Sequence, residues 1–332
     1  MIRRPARTSR VVRRSDASTT LGEFAADVRH YLTQSPRQLP SRYLYDALGS
    51  ALFGAICELP WYRITKAEER LLAAHGAEIF RRINRVSAIV ELGPGNGEKL
   101  RTLVEARHAA SGTLSVHLVD VSPSALELAA RMLEPLEGIR TIKHELPYEA
   151  GLSTATLKIK TTDRALVLFL GSNIGNFDRD GSDALLLAMR AALRPGDALL
   201  LGTDLVKPEK ELLLAYDDPL GVTAAFNRNL LVRINRELQG DFDVDQFEHE
   251  AVWNPAESRI EMHLAARSEQ RVRVKGAKLD LTMTKGERIW TESSYKYRPR
   301  DVVRMLGHAG FRHVAQWLDR PDRFALTLVE AV

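Results

Sequence analysis

The 332-residue chain contains a single cysteine, Cys57, which excludes an internal disulfide framework and fits a reducing cytoplasm. No apolar run approaches the length needed to span a bilayer, so a membrane role is not expected. Metal chemistry lacks its spacings, since neither His-Glu-x-x-His nor paired cysteines occur. The Gly-x-Ser-x-Gly nucleophile elbow is also missing, and Gly171-Ser172-Asn-Ile-Gly175 does not replace it, which ranks hydrolysis low. Acidic residues are absent before Asp16, while Arg3, Arg4, Arg7, Arg10, Arg13 and Arg14 precede it. The net charge of +4 therefore resides in that tail, and the remainder is slightly acidic. Without interleaved aromatics for base stacking, residues 1–18 read as a solvated, disordered tail rather than a nucleic-acid arm or targeting segment.

What is present centres on one unit. The apolar run Ala88 to Val90 leads into Glu91-Leu-Gly93-Pro-Gly95-Asn-Gly97-Glu-Lys99, and a second apolar run ends at Asp120. Glycines permit a tight strand-to-helix turn and close backbone approach to a ligand, and a carboxylate at the end of the next strand suits ribose hydroxyls. A dinucleotide fingerprint would read Gly-x-Gly-x-x-Gly and would face a pyrophosphate. Here Glu91 and Glu98 flank Gly-x-Gly-x-Gly and would repel phosphate. The pattern resembles that of class I methyltransferases, whose cofactor S-adenosylmethionine carries a sulfonium cation and no phosphate.

Around this unit, strand-like runs at 87–92, 115–119, 141–144, 165–170 and 197–202 alternate with helical stretches at 98–109, 122–133 and 180–193. The alternation predicts an α/β fold with a doubly wound parallel sheet, spanning residues 67–206. Residues 207–250 read as helical, 251–297 as shorter strands, and the end as a closing helix and strand. Together with residues 19–66, segment 207–332 is expected to form a second, α+β domain assembled from both ends of the chain.

Ligands of open parallel sheets bind beyond the carboxyl ends of the strands. Those ends offer the glycine turn, Asp120, Glu145 and the run Leu170-Gly171-Ser172-Asn173-Ile174-Gly175-Asn176. Asn173 and Asn176 supply amide donors and acceptors without charge, or alternatively cap the next helix. Tyr45, Tyr62 and Tyr216 are amphipathic residues in turn-like contexts, and a tyrosine taken singly is more often a packing residue with a satisfied hydroxyl than part of a site. Glu292 and Ser294 lie two apart on a strand-like run, so both point to one face.

From about Leu39 onward the chain resembles the histidine-specific Nα-methyltransferases of ergothioneine biosynthesis, which convert L-histidine to the trimethyl betaine hercynine. The resemblance is carried by Leu39-Pro-Ser-Arg-Tyr-Leu-Tyr45-Asp, Phe169-Leu-Gly-Ser-Asn-Ile-Gly-Asn176, Leu200-Leu-Gly-Thr-Asp-Leu-Val, Gly221-Val-Thr-Ala-Ala-Phe-Asn-Arg-Asn229, Arg259-Ile-Glu-Met262 and Thr291-Glu292-Ser-Ser294. It implies cofactor contacts at Gly93, Lys99, Asp120, Glu145 and Leu146, beside Glu91 and Gly95 expected from the turn itself, the family usually having Asp where this chain has Glu145. It implies substrate contacts at Tyr62, Asn176, Tyr216, Met262, Glu292 and Ser294, with the asparagine and the second tyrosine on the amino-acid carboxylate and the glutamate and serine on the imidazole. This chain has Trp61-Tyr62 where the family often has two tyrosines. Catalytic roles are expected for Tyr45, or a water near Asn176, in relaying the amine proton.

The expected partner is a small amino acid, with no nucleic acid and no membrane, and the chain is expected to act as a monomer. The main rival is an N-methyltransferase of the same fold acting on another amino acid such as a tryptophan derivative, for which an acidic Glu292 is poorly suited. An inactive cofactor-binding scaffold and a nucleic-acid methyltransferase are weaker rivals, the latter supported by the basic tail alone.

Overall fold

The computed structural model describes residues 21–83, 85–107, 112–160 and 162–332, so the basic tail at 1–18 lies outside the described residues. The chain enters through α1 (Leu21–Leu32), the short β1 (Arg37–Gln38) and α2 (Ala47–Cys57), then α3 (Ile64–Arg82). Alternating strands and helices follow: β2 (Val86–Leu92), α4 (Glu98–Glu105), β3 (Leu114–Asp120), α5 (Pro123–Leu133), β4 (Ile139–Glu145), α6 (Tyr148–Leu157), β5 (Arg164–Phe169), α7 (Arg179–Ala192) and β6 (Ala198–Asp204). Helix starts carry ordinary signals, with Ser122 accepting from the Ala125 N–H before Pro123 and Asp178 accepting from the Gly181 N–H.

β2 to β6 pair in parallel, and alternate residues serve opposite faces because a strand has a two-residue period. Ile89, Leu118, Leu168 and Leu200 join the apolar core that contains Leu72 of α3, Leu103 of α4 and Leu126 of α5. Val90, Val119, Val167 and Leu199 join the core that contains Leu152 of α6, Leu186 of α7 and Val302 of α10 (Pro299–His308). Burial on both faces explains why these strands read as continuous apolar runs.

The sheet has seven strands, because β12 (Phe311–Asp319) and β13 (Phe324–Ala331) complete it in the order β12-β13-β6-β5-β2-β3-β4. β13 runs antiparallel to both β6 and β12, so the doubly wound sheet is parallel from β4 to β6 across its order and closes on an antiparallel hairpin at this edge. Only a short turn separates β12 from β13, which forces an antiparallel hairpin. The expected boundary at residue 206 is corrected for the same reason, since these two strands, assigned to the second domain, belong to the large sheet.

The other elements are α8 (Glu209–Tyr216), α9 (Val222–Leu238), β7 (Phe247–Asn254), β8 (Arg259–Ala266), β9 (Gln270–Val274), β10 (Leu279–Met283) and β11 (Arg288–Tyr295). β1 pairs in parallel with β11 in a four-stranded sheet of order β1-β11-β8-β7, so residues from both sides of the large sheet meet in it. β9 and β10 form a separate hairpin. The helical reading of 207–250 holds up to Leu238 and gives way to β7 at Phe247. Among the described residues no helix is long and apolar enough to cross a membrane.

Candidate active site

The glycine turn sits at the carboxyl end of β2. Gly93, Gly95 and Gly97 all have positive φ, at 75°, 57° and 83°, and the Gly93 N–H extends the ladder by donating to the Val119 carbonyl at 2.9 Å. A side chain on Gly93 would meet the Tyr148 hydroxyl at 3.0 Å and the Asn173 amide at 3.1 Å, so the turn lies against both. Glu91 is buried, and its Oε2 has no hydrogen-bond partner. Burial pushes its pKa up to about 8, with Lys99 opposing the shift and Glu68 and Asp120 adding to it. Asp120 accepts from the Ser122 N–H at 2.8 Å, and burial raises its pKa too. Glu145 pairs in register with Asp120 and is exposed, and the Leu146 N–H donates to the Asp120 carbonyl at 3.1 Å.

Lys99 is held rather than free: its Nζ lies 2.7 Å from Glu68 Oε2. Glu68, fully buried on α3, also accepts from the Gly171 N–H at 2.8 and 3.0 Å. That carboxylate therefore ties the helix after β2 to the turn after β5. In this turn Gly171 and Ser172 both have positive φ, 72° and 58°, and Ser172 Oγ accepts from the Asp204 N–H at 2.9 Å. A non-glycine residue in this region is strained and is held there by its surroundings. The turn delivers Asn173 and Asn176, while Asp178 rather than Asn176 caps α7.

Tyr45, Tyr62, Asn176, Tyr216, Met262, Glu292 and Ser294 all line one cavity, together with Gly171, Ser172 and Asn173. Its walls are aromatic. Tyr45 packs edge-on against Phe53 and Phe226 at 5.5 and 5.4 Å, Phe53 against Tyr62 at 6.1 Å, and Tyr62 against Tyr216 at 6.1 Å. Such rings supply a cationic amine with favourable faces.

A β-bulge in β11 aims the polar groups. Trp290 pairs with His263 and Glu292 with Met262, so the register slips at Thr291 and turns Glu292 to the cavity side with Met262. Glu292 is 8% exposed, and burial pushes its pKa up to about 7, with Lys296 and the Tyr45 hydroxyl opposing the shift. Tyr45 OH donates to Glu292 Oε1 at 3.5 Å, and burial raises the phenol well above its usual pKa. Tyr45 thus keeps its proton at neutral pH and faces the carboxylate. Tyr216 OH and Ser294 Oγ are 2.8 Å apart, and the Tyr216 carbonyl accepts from His249 at 2.7 Å.

Several participants were not anticipated from the sequence. Glu68, Tyr148, Phe53, Phe226, Asp204 and Lys296 came to light only through their contacts. One signal was available: Lys296 continues the two-residue alternation of Glu292 and Ser294, and an uninterrupted polar stripe on a strand in an apolar protein invites inspection.

The residues suit a cationic ligand without phosphate. Glu91 presents an unpaired buried acceptor beside an open glycine backbone, and the nearby cation, Lys99, is already committed to Glu68. Among the described residues no cluster of His, Cys, Asp or Glu could hold a metal.

Comparison with known proteins agrees with this chemistry. The chain is 43% identical to histidine N-alpha-methyltransferase of Mycolicibacterium smegmatis, covering 91% of this chain and 93% of that protein. It is 42% identical to the enzyme of the same name from Mycobacterium tuberculosis, covering 95% and 99%. Ergothioneine biosynthesis protein 1 of Neurospora crassa is 28% identical over 85% of this chain, which corresponds to 32% of that longer protein. Residues 24–331 match the model of the family described as histidine-specific methyltransferase, SAM-dependent, and the chain belongs to that family.

Proposed function

We propose that this chain transfers methyl groups from S-adenosylmethionine to the α-amino nitrogen of L-histidine until the trimethyl betaine, hercynine, is formed, a step of ergothioneine biosynthesis. The observation that carries the reading is Glu292 and Ser294 on one face of β11, projecting into an aromatic-walled cavity that also holds Asn176 and Tyr216. An imidazole offers hydrogen-bond groups on a flat ring, and a carboxylate beside a hydroxyl within aromatic walls complements it. Asn176 and Tyr216 are assigned to the amino-acid carboxylate, and Met262 and Tyr62 to the sides of the substrate. Buried polar groups of this kind reject analogues that leave them unpaired.

The cofactor, when bound, supplies an electrophilic methyl on a sulfonium. Glu91, Gly93, Gly95, Asp120, Glu145 and Leu146 are assigned to hold it, with Lys99 positioned by Glu68. The protein's remaining task is orientation, because a methyl acceptor held in line needs little further help. The amine must shed its proton before it can attack. The α-amino group of a peptide terminus has a pKa of about 8 and that of a free amino acid, beside its own carboxylate, lies higher, so the site must favour the neutral amine. Tyr45, which keeps its own proton, is assigned to orient Glu292, and a water at Asn176 remains the route for the amine proton. We assign substrate recognition to the part built from β1, β7, β8, β11, α8 and α9, and read the enzyme as a cytoplasmic monomer.

Incubating the protein with S-adenosylmethionine and all common amino acids, with products read by mass spectrometry, tests the reading. Trimethylated histidine is the expected product. Methylation of a tryptophan derivative instead would leave the cofactor assignment standing and remove the roles given to Glu292 and Ser294.

A further inference from the structure

Tyr216 is the last residue of α8, and the last carbonyls of a helix have no partner within it. Its carbonyl accepts instead from His249 Nε2 of β7, at 2.7 Å. His249 Nδ1 lies 2.9 Å from Asn227 Nδ2 of α9, and the same Asn227 nitrogen is 3.1 Å from the His263 carbonyl of β8. His249 and Asn227 are both buried, and neither has a role in the steps proposed for the reaction.

Chemistry fixes the direction of each bond. A carbonyl only accepts, so His249 Nε2 carries hydrogen, and the Asn227 atom that faces the His263 carbonyl is its amide nitrogen. Burial lowers the pKa of His249, with the Tyr216 carbonyl and Asp217 opposing the shift, so at neutral pH the ring has one N–H. That N–H is committed to Tyr216. Nδ1 is then an acceptor, and it takes the second hydrogen of the Asn227 amide. Asn227 Oδ1 is buried with no partner among the described residues, so the orientation of the amide rests on its two donations.

Every end of this chain of bonds meets the cavity. Tyr216 lines it, Asn227 follows the lining residue Phe226, and His263 follows the lining residue Met262. The two side chains thus lock α8, α9 and β8 together at the points where each contributes to the wall. At the far end of the Tyr216 ring, Ser294 Oγ and Lys296 Nζ both lie 2.8 Å from the hydroxyl, and these contacts place the oxygen only if the backbone of α8 ends at the right height. We propose that His249, held by Asn227, is a positioning residue that fixes the end of α8 so that the Tyr216 hydroxyl reaches the carboxylate of the substrate. This rests on the reading that Tyr216 holds that carboxylate, and deepens it.

The test is the KM for histidine, with kcat and the affinity for S-adenosylhomocysteine measured beside it, in enzymes with and without the Tyr216 hydroxyl. His249→Leu leaves the Tyr216 carbonyl unpaired, and KM should rise about tenfold with kcat and S-adenosylhomocysteine affinity little changed, as when binding rather than chemistry is lost. His249→Gln keeps a donor for the carbonyl and an acceptor for Asn227, and should bring KM back to within about threefold of the unaltered enzyme. In a Tyr216→Phe background His249→Leu should add less than about twofold, because a residue that acts through the hydroxyl has nothing left to position. If His249→Leu does not fold, Asn227→Ala, which keeps the ring but frees it to turn, carries the same comparison with and without Tyr216→Phe. Equal rises in KM with and without the Tyr216 hydroxyl, or no rise in either, overturn the inference alone. A Tyr216→Phe enzyme whose KM matches that of the unaltered enzyme overturns the carboxylate assignment and this inference with it.

Discussion

At the scale of single residues the site turns on buried carboxyl groups, whose charged form is costly to hold away from water. Glu91 shows this most clearly. Its folded pKa of about 8 lies above the ordinary 4.5, so folding retains a proton between those values and stability falls as pH rises across that window. Glu91→Gln removes the titration. The variant should match the native protein in melting temperature near pH 4.5, surpass it by an amount corresponding to a few kcal/mol by pH 9, and bind S-adenosylmethionine more weakly; calorimetric melts across pH and titration calorimetry measure both. A variant equally stable relative to native at pH 5 and pH 9 would refute the assignment. On the proposed reading Glu292→Ala removes a hydrogen-bond acceptor from the imidazole, a loss of about 2 kcal/mol, and kcat/KM for histidine should drop roughly thirtyfold or more while cofactor affinity holds. Part of this was readable in the sequence: Glu91 and Asp120 stand at the ends of apolar runs, whereas Glu292 and Ser294 were singled out by the family resemblance, since two polar residues alternating on a strand usually face water. Glu68 and Lys296 were not, since each acts through a partner more than thirty positions away in the chain, Gly171 and Asp204 respectively, and such pairing is invisible before the fold is known.

At the scale of elements, the glycine turn separates two demands that the sequence pattern merges. Gly95 has φ 57° with nothing within 4 Å of an added Cβ, whereas Gly97 has φ 83° and an added Cβ would stand 2.8 Å from the Cα of Ala129 on α5. Gly95→Ala should therefore cost about 1–2 kcal/mol, the left-handed penalty alone. Gly97→Ala adds a clash with backbone where α4 meets α5, and should lower the denaturation midpoint further; comparable midpoints in urea would refute the distinction. The inner parallel strands β2, β3, β5 and β6 were legible because burial on both faces makes them largely apolar, whereas β4, at the edge, is mostly half-buried or exposed. β12 was not legible: its Phe-Arg-His-Val-Ala-Gln-Trp-Leu-Asp sequence mixes polar and apolar residues at an edge, and a register shift between His313 and Ala315 breaks the alternation. The bulge that re-aims Glu292 is equally hidden, since Trp290, Glu292 and Ser294 read as one face and Trp290 in fact pairs on the side of His263.

For the whole molecule, sheet membership and sequence order disagree, and the disagreement has a thermodynamic consequence. The N-terminal β1 closes one side of the β11 sheet, the C-terminal β12–β13 hairpin completes the large sheet, and a single apolar core joins Phe24, Leu72, Ile89, Leu168, Phe226, Met262 and Leu326. Beyond the core, the Tyr297 N–H donates to the Asp204 carbonyl at 3.0 Å and the Val206 N–H to the Tyr297 carbonyl at 2.9 Å, binding the strand that carries Glu292 to the end of β6. No seam divides the molecule along residue 206. Heating should give one calorimetric transition whose van't Hoff and calorimetric enthalpies agree. A fragment of residues 67–206 keeps every parallel strand of the large sheet but loses β13, leaving β6 as an unpaired edge whose residues are all buried in the intact chain. An apolar, unpaired edge strand is a template for association. The fragment should elute as aggregate on size exclusion without the near-ultraviolet dichroism of packed aromatic rings, and a monodisperse fragment with native-like dichroism would show that the methyltransferase sheet folds without its closing hairpin.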